Sequence, residues 1–233
     1  MGYAAGGVNR PSRQCIGDPY VAGLAALFAV FWLALAIRPR HRADWALENA
    51  LVVLVVLVVA LTHRRLALSR LSYTLVFMFL SLHVVGAHYT YSEVPYDAWV
   101  TTLTGRSLHA WLGWQRNNFD RIVHLAYGLL LTYPVRQVVV RVTGLRGFWG
   151  YFLPMDLTMS SSASYELIEW GAAVVFGGDL GIAYVGAQGD PWDAQKDMSL
   201  AALGAMLATA AIILSHRRRG RRHDRLRGPH PRR

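Results

Sequence analysis

One cysteine, Cys15, and one lysine, Lys196, are all that the 233 residues contain of either type. A lone cysteine excludes an internal disulfide framework, and the lack of thiolates argues against soft-metal sites. Charged residues are also scarce, 16% against 54% apolar residues, where a soluble domain carries about 25%. No segment alternates polar and apolar residues as barrel strands do over ~10 residues, which excludes a membrane β-barrel. An internal repeat is missing too, and with it the usual two-halved transporter architecture. Neither a leader-cleavage site nor a lipid-attachment box precedes the first apolar run, since Ser12-Arg-Gln-Cys15 lacks the small and apolar residues such a box needs. That run is therefore expected to be retained.

Apolar runs near the ~20 residues needed to cross hydrocarbon recur along the chain. They predict an all-α, polytopic membrane helix bundle of about six spans, over Tyr20–Ile37, Trp45–Thr62, Leu71–Tyr91, Phe119–Val140, Leu157–Gly177 and Ala194–Leu214. Residues 1–18 read as a cytoplasmic segment, 19–215 as the membrane domain and 216–233 as a basic cytoplasmic tail. Leu51–Leu61, almost pure Leu and Val, suggests a lipid-facing helix. Phe148–Leu153, ended by Pro154, is too short to span and is expected at the cytoplasmic surface. Trp99, Trp111 and Trp114 in the longest connection read as headgroup anchors.

The net charge of +10 comes largely from the arginine-rich tail. With no aromatic interleaving and no recognition fold, it points to anionic lipid headgroups and away from nucleic acid. The tail, with Arg64, Arg65, Arg70, Arg136, Arg141 and Arg146, puts both termini inside. Arg38, Arg40 and Arg42 fall outside as an exception.

Against this background the ionisable residues at membrane depth stand out, because each costs about 2.5–3.5 kcal/mol at a helix centre. Asp120 and His124 are four apart and share a helix face, as do Asp193 and Asp197; Glu166 and Glu169 are three apart. His83 and His88, five apart, diverge around a helix and form no His-Glu-x-x-His zinc motif. In the orientation above, His83, His88, Asp120, His124, Glu169, Asp193 and Asp197 all fall in the outer half of the membrane, and Glu166 near its middle. Four helices bringing such groups to one level predict a polar cluster there. Oxygen ligands with histidine suit a hard or borderline divalent metal ion, and the expected ligands are His88, Asp120, His124, Glu166, Glu169, Asp193 and Asp197. Asp190 is the candidate general base, and Glu166 a second candidate catalytic group. Arg121 and Lys196 stand at the rim, able to pair with some of the acids. Asp44 and Glu48 suit the positive end of the second helix and read as structural.

Several stretches resemble the YjdF-like bacterial inner-membrane proteins, a family of unknown function. They are Leu82-His-Val-Val-Gly-Ala-His-Tyr-Thr-Tyr91, Val94-Pro-Tyr-Asp-Ala-Trp99, Asn118-Phe-Asp-Arg-Ile-Val-His124, Glu166-Leu-Ile-Glu-Trp170 and Gln188-Gly-Asp-Pro-Trp-Asp-Ala-Gln-Lys-Asp-Met198. The resemblance implies a multi-span helical protein of the inner membrane with these polar residues as its signature, and no activity. Many members carry an acid after the first histidine, where this chain has Val84, which leaves a ligand role for His83 open. The Asp-x-x-x-His helix is also distantly similar to VanZ-like membrane proteins. Three functions fit these residues. One is a metal-dependent hydrolase or transferase acting on a lipid-linked or amphipathic substrate. The others are a cation- or proton-coupled transporter and an accessory protein with a structural metal or polar network. The signature of the CDP-alcohol phosphotransferases is absent, so phosphoryl transfer is not singled out.

Overall fold

A computed structural model describes residues 18–176 and 188–227, with side chains to 218. The N-terminal segment with Cys15, Gly177 and the end of the tail lie outside the described residues. Among the described residues there are eight helices and no strand: α1 (Pro19–Leu35), α2 (Arg42–Thr62), α3 (Arg70–His88), α4 (Tyr96–Thr104), α5 (Leu108–Leu112), α6 (Phe119–Thr143), α7 (Trp149–Phe176) and α8 (Asp193–Arg227). The membrane helix bundle expected from the apolar runs is what forms.

By length and composition α2, α3, α6 and α8 (to Arg218) can cross a membrane. The other two expected spans depart from that pattern. At 17 residues, α1 reaches about 25 Å, short of a ~30 Å hydrocarbon core. At 28 residues α7 has the length, but it carries Asp156, four serines, Glu166 and Glu169. Nor is Phe148–Leu153 a separate surface piece, because α7 starts at Trp149 and runs through Pro154. A proline in the second turn removes one bond near a helix end that already has unpaired groups. Thr158 Oγ1 donates to the Pro154 carbonyl at 2.9 Å.

Contacts at the two ends of the bundle fix the topology. At one end Arg70, opening α3, holds Asp18, the N-cap of α1, through Nε at 2.7 Å. Arg141 near the end of α6 donates to the Ala67 carbonyl, and Tyr151 of α7 meets His216 of α8 at 2.7 Å. At the other end His88, closing α3, bonds the Leu35 carbonyl at 2.7 Å, and Arg116, ahead of α6, reaches Asp193 at the start of α8. Thus α6 and α8 run parallel, and both begin at the second end. Lipid-facing residues follow: Val53, Leu54, Val56, Leu57, Val58 and Leu61 of α2 are exposed, as the Leu/Val run suggests.

The closest packing in the bundle is between α6 and α8. A Cβ on Gly128 would strike the Ala201 carbonyl oxygen, and one on Gly204 the Leu125 carbonyl oxygen. Ala201 and Ala205 are fully buried in the same seam. Small residues are what let two membrane helices approach backbone to backbone. The seam also sets a register. Stepping toward the N-termini from the Gly128–Ala201 contact, one turn sets His124 level with Asp197, and a second sets Asp120 level with Asp193.

The connection before α6 is tied down rather than loose. Asn118 N donates to Tyr96 Oη at 3.0 Å, and the Tyr96 hydroxyl also bonds His109 Nε2 at 2.8 Å. Trp99 and Trp111 are exposed, as headgroup anchors would be. Trp114 instead packs edge-on against Tyr96.

Candidate functional site

Three of the expected ligands come together. Asp120 and His124 of α6 and Asp197 of α8 each offer an atom within 4.8 Å of the others. His124 Nε2 lies 3.5 Å from Asp120 Oδ1 and 3.3 Å from Glu166 Oε1 of α7. Helix periodicity sets Asp120 above His124, the glycine seam brings α8 alongside, and α7 closes the third side. His124 and Asp197 are buried. Two acceptors here go unanswered, because buried Glu166 Oε1 and Asp197 Oδ1 have no hydrogen-bond partner among the described residues. A buried oxygen without a donor normally costs about 1–3 kcal/mol, so the arrangement suits an added cation or proton.

Beside this group lies a cavity of about 280 Å³. Asp120 and His124 form part of its wall, together with Glu169 and Tyr165 of α7, His83 and Tyr91, and Asp44 and Glu48 of α2. Glu169 therefore faces the cavity, whereas Glu166 turns to His124. The Tyr165 hydroxyl donates to Glu48 Oε2 at 2.9 Å. Sequence reasoning assigned Asp44 and Glu48 to the helix end alone and missed them here. The available signal was Glu48, a carboxylate in the second turn of a helix that continues as a run of Leu and Val.

His83 fills a packing role. Its Nε2 meets the Glu48 carbonyl at 3.1 Å and its Nδ1 the Tyr91 hydroxyl, so neither nitrogen is open to a metal. The neighbouring Val84 is fully buried.

Three expected site residues belong elsewhere. His88 is not in the cluster. Its Nδ1 bonds the Leu35 carbonyl, because five residues from His83 is more than one turn and swings the ring toward α1. Asp193 is taken by two guanidinium groups: Arg116 binds both its oxygens, at 2.6 and 3.2 Å, and Arg121 reaches it at 3.3 Å. Asp190 cannot serve as the general base. Its Oδ2 lies 2.5 Å from Lys196 Nζ and 2.6 Å from Arg121, while Trp192 N donates to Oδ1 at 3.1 Å. The Lys196 hydrogen bond, the Trp192 amide and Arg121 hold its carboxyl at about 2, too low to accept a proton near neutrality. The rim pairing expected for Arg121 and Lys196 is present, but Arg116 was missed. It sits in a connection whose path the sequence does not reveal.

A family model described as "Predicted membrane protein (DUF2238)" matches residues 20–218. Inner membrane protein YjdF of Escherichia coli (strain K12) is 34% identical over 212 residues, covering 90% of this chain and 97% of that protein. No solved structure matches. These likenesses carry no activity, but they agree with the apolar helices in making this a multi-pass protein of the bacterial inner membrane. The chain belongs to the DUF2238 family of predicted membrane proteins.

Proposed function

We propose that this protein is a metal-dependent membrane enzyme acting on a lipid-linked or amphipathic substrate. Asp120, His124 and Asp197 are the ligands, with Glu166 as a fourth ligand within reach. The observation that carries this reading is the convergence of three ligand atoms from two helices within 4.8 Å, with Asp197 Oδ1 buried and without a hydrogen-bond partner among the described residues. The donor set of one imidazole and several carboxylates fits a hard or borderline divalent cation. Such an ion supplies Lewis acidity toward an acyl or phosphoryl oxygen.

The chain's own groups do the rest. Glu166, 3.3 Å from His124 Nε2, shares the ligand shell. Glu169, on the cavity wall with Asp120, is the group that can take or return a proton at a bound substrate, the role that Asp190 cannot fill. Tyr165 and Glu48 bridge α7 to α2 and hold that wall in place. Arginine counting in the loops puts the cluster at the periplasmic end, so the substrate is one presented in the outer leaflet.

The test is elemental analysis of the full-length protein purified in a non-ionic detergent. About one divalent ion per chain in the parent, and almost none in His124→Ala, is the expected outcome. A parent free of metal after purification in supplemented buffer would overturn the reading and leave a buried polar network that fixes helix packing.

A further inference from the structure

The cavity beside the ligand cluster gathers more carboxyl groups than a divalent ion can offset. Its wall carries four carboxyl groups, Asp44, Glu48, Asp120 and Glu169, and no arginine or lysine lines it. The nearby cations are engaged with Asp190 and Asp193. A divalent ion at Asp120, His124 and Asp197 offsets two carboxylates and leaves Asp44, Glu48 and Glu169 along the α2–α7 wall. Two histidines share the wall: His83, whose Nε2 meets the Glu48 carbonyl at 3.1 Å and stands 3.8 Å from Glu48 Oε2, and His124, which belongs to the ligand group.

Unfilled hydrogen-bonding capacity marks the same wall. Among the described residues, Asp44, 3% exposed, has Oδ1 without a partner, and Ser162, also 3% exposed, has Oγ without one. Both line the cavity. A buried carboxylate oxygen without a donor, on a residue that lines a cavity, is acceptor capacity that a bound donor can fill. The cavity's other wall is apolar. Leu51 and Phe79 contribute to it, and so does Ile168, which is 62% exposed on the lipid-facing side of α7.

We infer that the cavity binds the primary ammonium headgroup of an amphiphile, with the ammonium among Asp44, Glu48 and Glu169 and the alkyl chain leaving past Leu51 and Ile168. An ammonium brings one positive charge and three donors, matching a group of acids of which Asp44 has an oxygen without a donor among the described residues. An anionic headgroup would add to the excess negative charge, and a fully alkylated ammonium would leave Asp44 Oδ1 without a donor. This inference rests on the cavity being the substrate side of the proposed metal site, but binding can be measured without turnover.

The experiment is equilibrium binding of radiolabelled dodecylamine to the full-length protein in dodecyl maltoside, with dodecyl phosphate and dodecyltrimethylammonium as competitors. Metal content is measured on the same samples. The expected result is saturable binding near one per chain, at least tenfold weaker in Glu48→Gln and Asp44→Asn, with metal content unchanged in both. Neither competitor should displace the probe at equal concentration. Equal binding in parent and variants, displacement by dodecyl phosphate, or no saturable binding would overturn the inference. If Glu48→Gln does not fold, Glu169→Gln is read in its place. A parent that binds the amine but holds no metal would defeat the enzyme reading and leave this one standing. A parent with metal but no amine binding would do the reverse.

Discussion

Asp193 and Asp197 stand one turn apart on α8, and the molecule treats them in opposite ways. Asp193 lies between Arg116 and Arg121, with both oxygens bonded. Asp197 faces a histidine and another aspartate, and one of its oxygens has no donor among the described residues. Both are almost completely buried, at 5% and 2% exposure. Burial therefore does not separate a latch from a ligand. What separates them is whether a guanidinium reaches the carboxylate, and the connection before α6 brings Arg116 only to the outer of the two.

The sharpest way to break this contrast is to neutralise each acid without changing its shape. Asp197→Asn should abolish metal binding while the bundle stays folded, because it removes a ligand that has no cationic partner to lose. Asp193→Asn should keep the metal but cost about 1.5–3 kcal/mol, the range for a hydrogen bond to a charged group, since it leaves two partly buried guanidinium groups sharing Asp190. Elemental analysis and thermal melting of the two variants read both effects. Metal loss in Asp193→Asn with none in Asp197→Asn would invert the assignment.

A smaller loss should come from the seam that aligns the two pairs. Gly204→Val puts side-chain atoms against the Leu125 carbonyl and the Leu129 amide nitrogen, and overpacking of this kind costs about 1–3 kcal/mol. Because the seam sets His124 level with Asp197, metal occupancy should fall in proportion to the helix separation, although no ligand is touched. Full occupancy with unchanged melting would mean that the close approach of α6 and α8 does not build the site.

His88→Ala should do less again. It removes one tether from α3 to the end of α1, worth about 1 kcal/mol, and should leave metal content as it was. Lost metal would return His88 to the ligand set.

These expectations separate what the sequence carries from what it hides. Four- and three-residue spacings identify Asp120/His124, Glu166/Glu169 and Asp193/Asp197 as pairs, since helix geometry is local. The alignment of α6 with α8 was also open to reading, in Gly128 and in the small residues Ala201, Gly204, Ala205 and Ala208 at helical spacing. Arg116 was not, because an arginine in an irregular connection has no helical periodicity to fix its direction. Glu48 was hidden by a sufficient local explanation, the positive end of α2, which gives no reason to look across to Tyr165, 117 residues away. His88 shows the reverse error. A histidine near a cluster in sequence and depth was credited with a face it does not share. Pro154 read as a stop because proline usually breaks a helix, yet near a helix end little is lost by including it.

The least effect is expected at Asp190, and its sign follows from the depressed carboxyl. Asp190 is held at about 2, below the ordinary aspartate value of 3.8, first by Lys196, then by the Trp192 amide and Arg121. A folded value below the unfolded one means that the unfolded chain binds the proton more readily between the two. The contribution of Asp190 to stability is then fully present above the ordinary value and disappears as pH falls through about 2. Other carboxylates protonate in the same window, so the informative quantity is the difference in melting temperature between parent and Asp190→Asn. That difference should be flat from pH 8 to pH 5 and shrink only below about pH 4. Lys196→Met removes the main cause of the depression and should move the decline to higher pH. At pH 7 it should leave the melting temperature nearly unchanged, because Lys196 is half exposed and such pairs contribute little in water. A parent-minus-variant difference that already changes between pH 8 and pH 6 would show that Asp190 is not held by these cations. It would then be free to act as the base near neutrality, and the division between an ionised latch and an open site would fail at its outer edge.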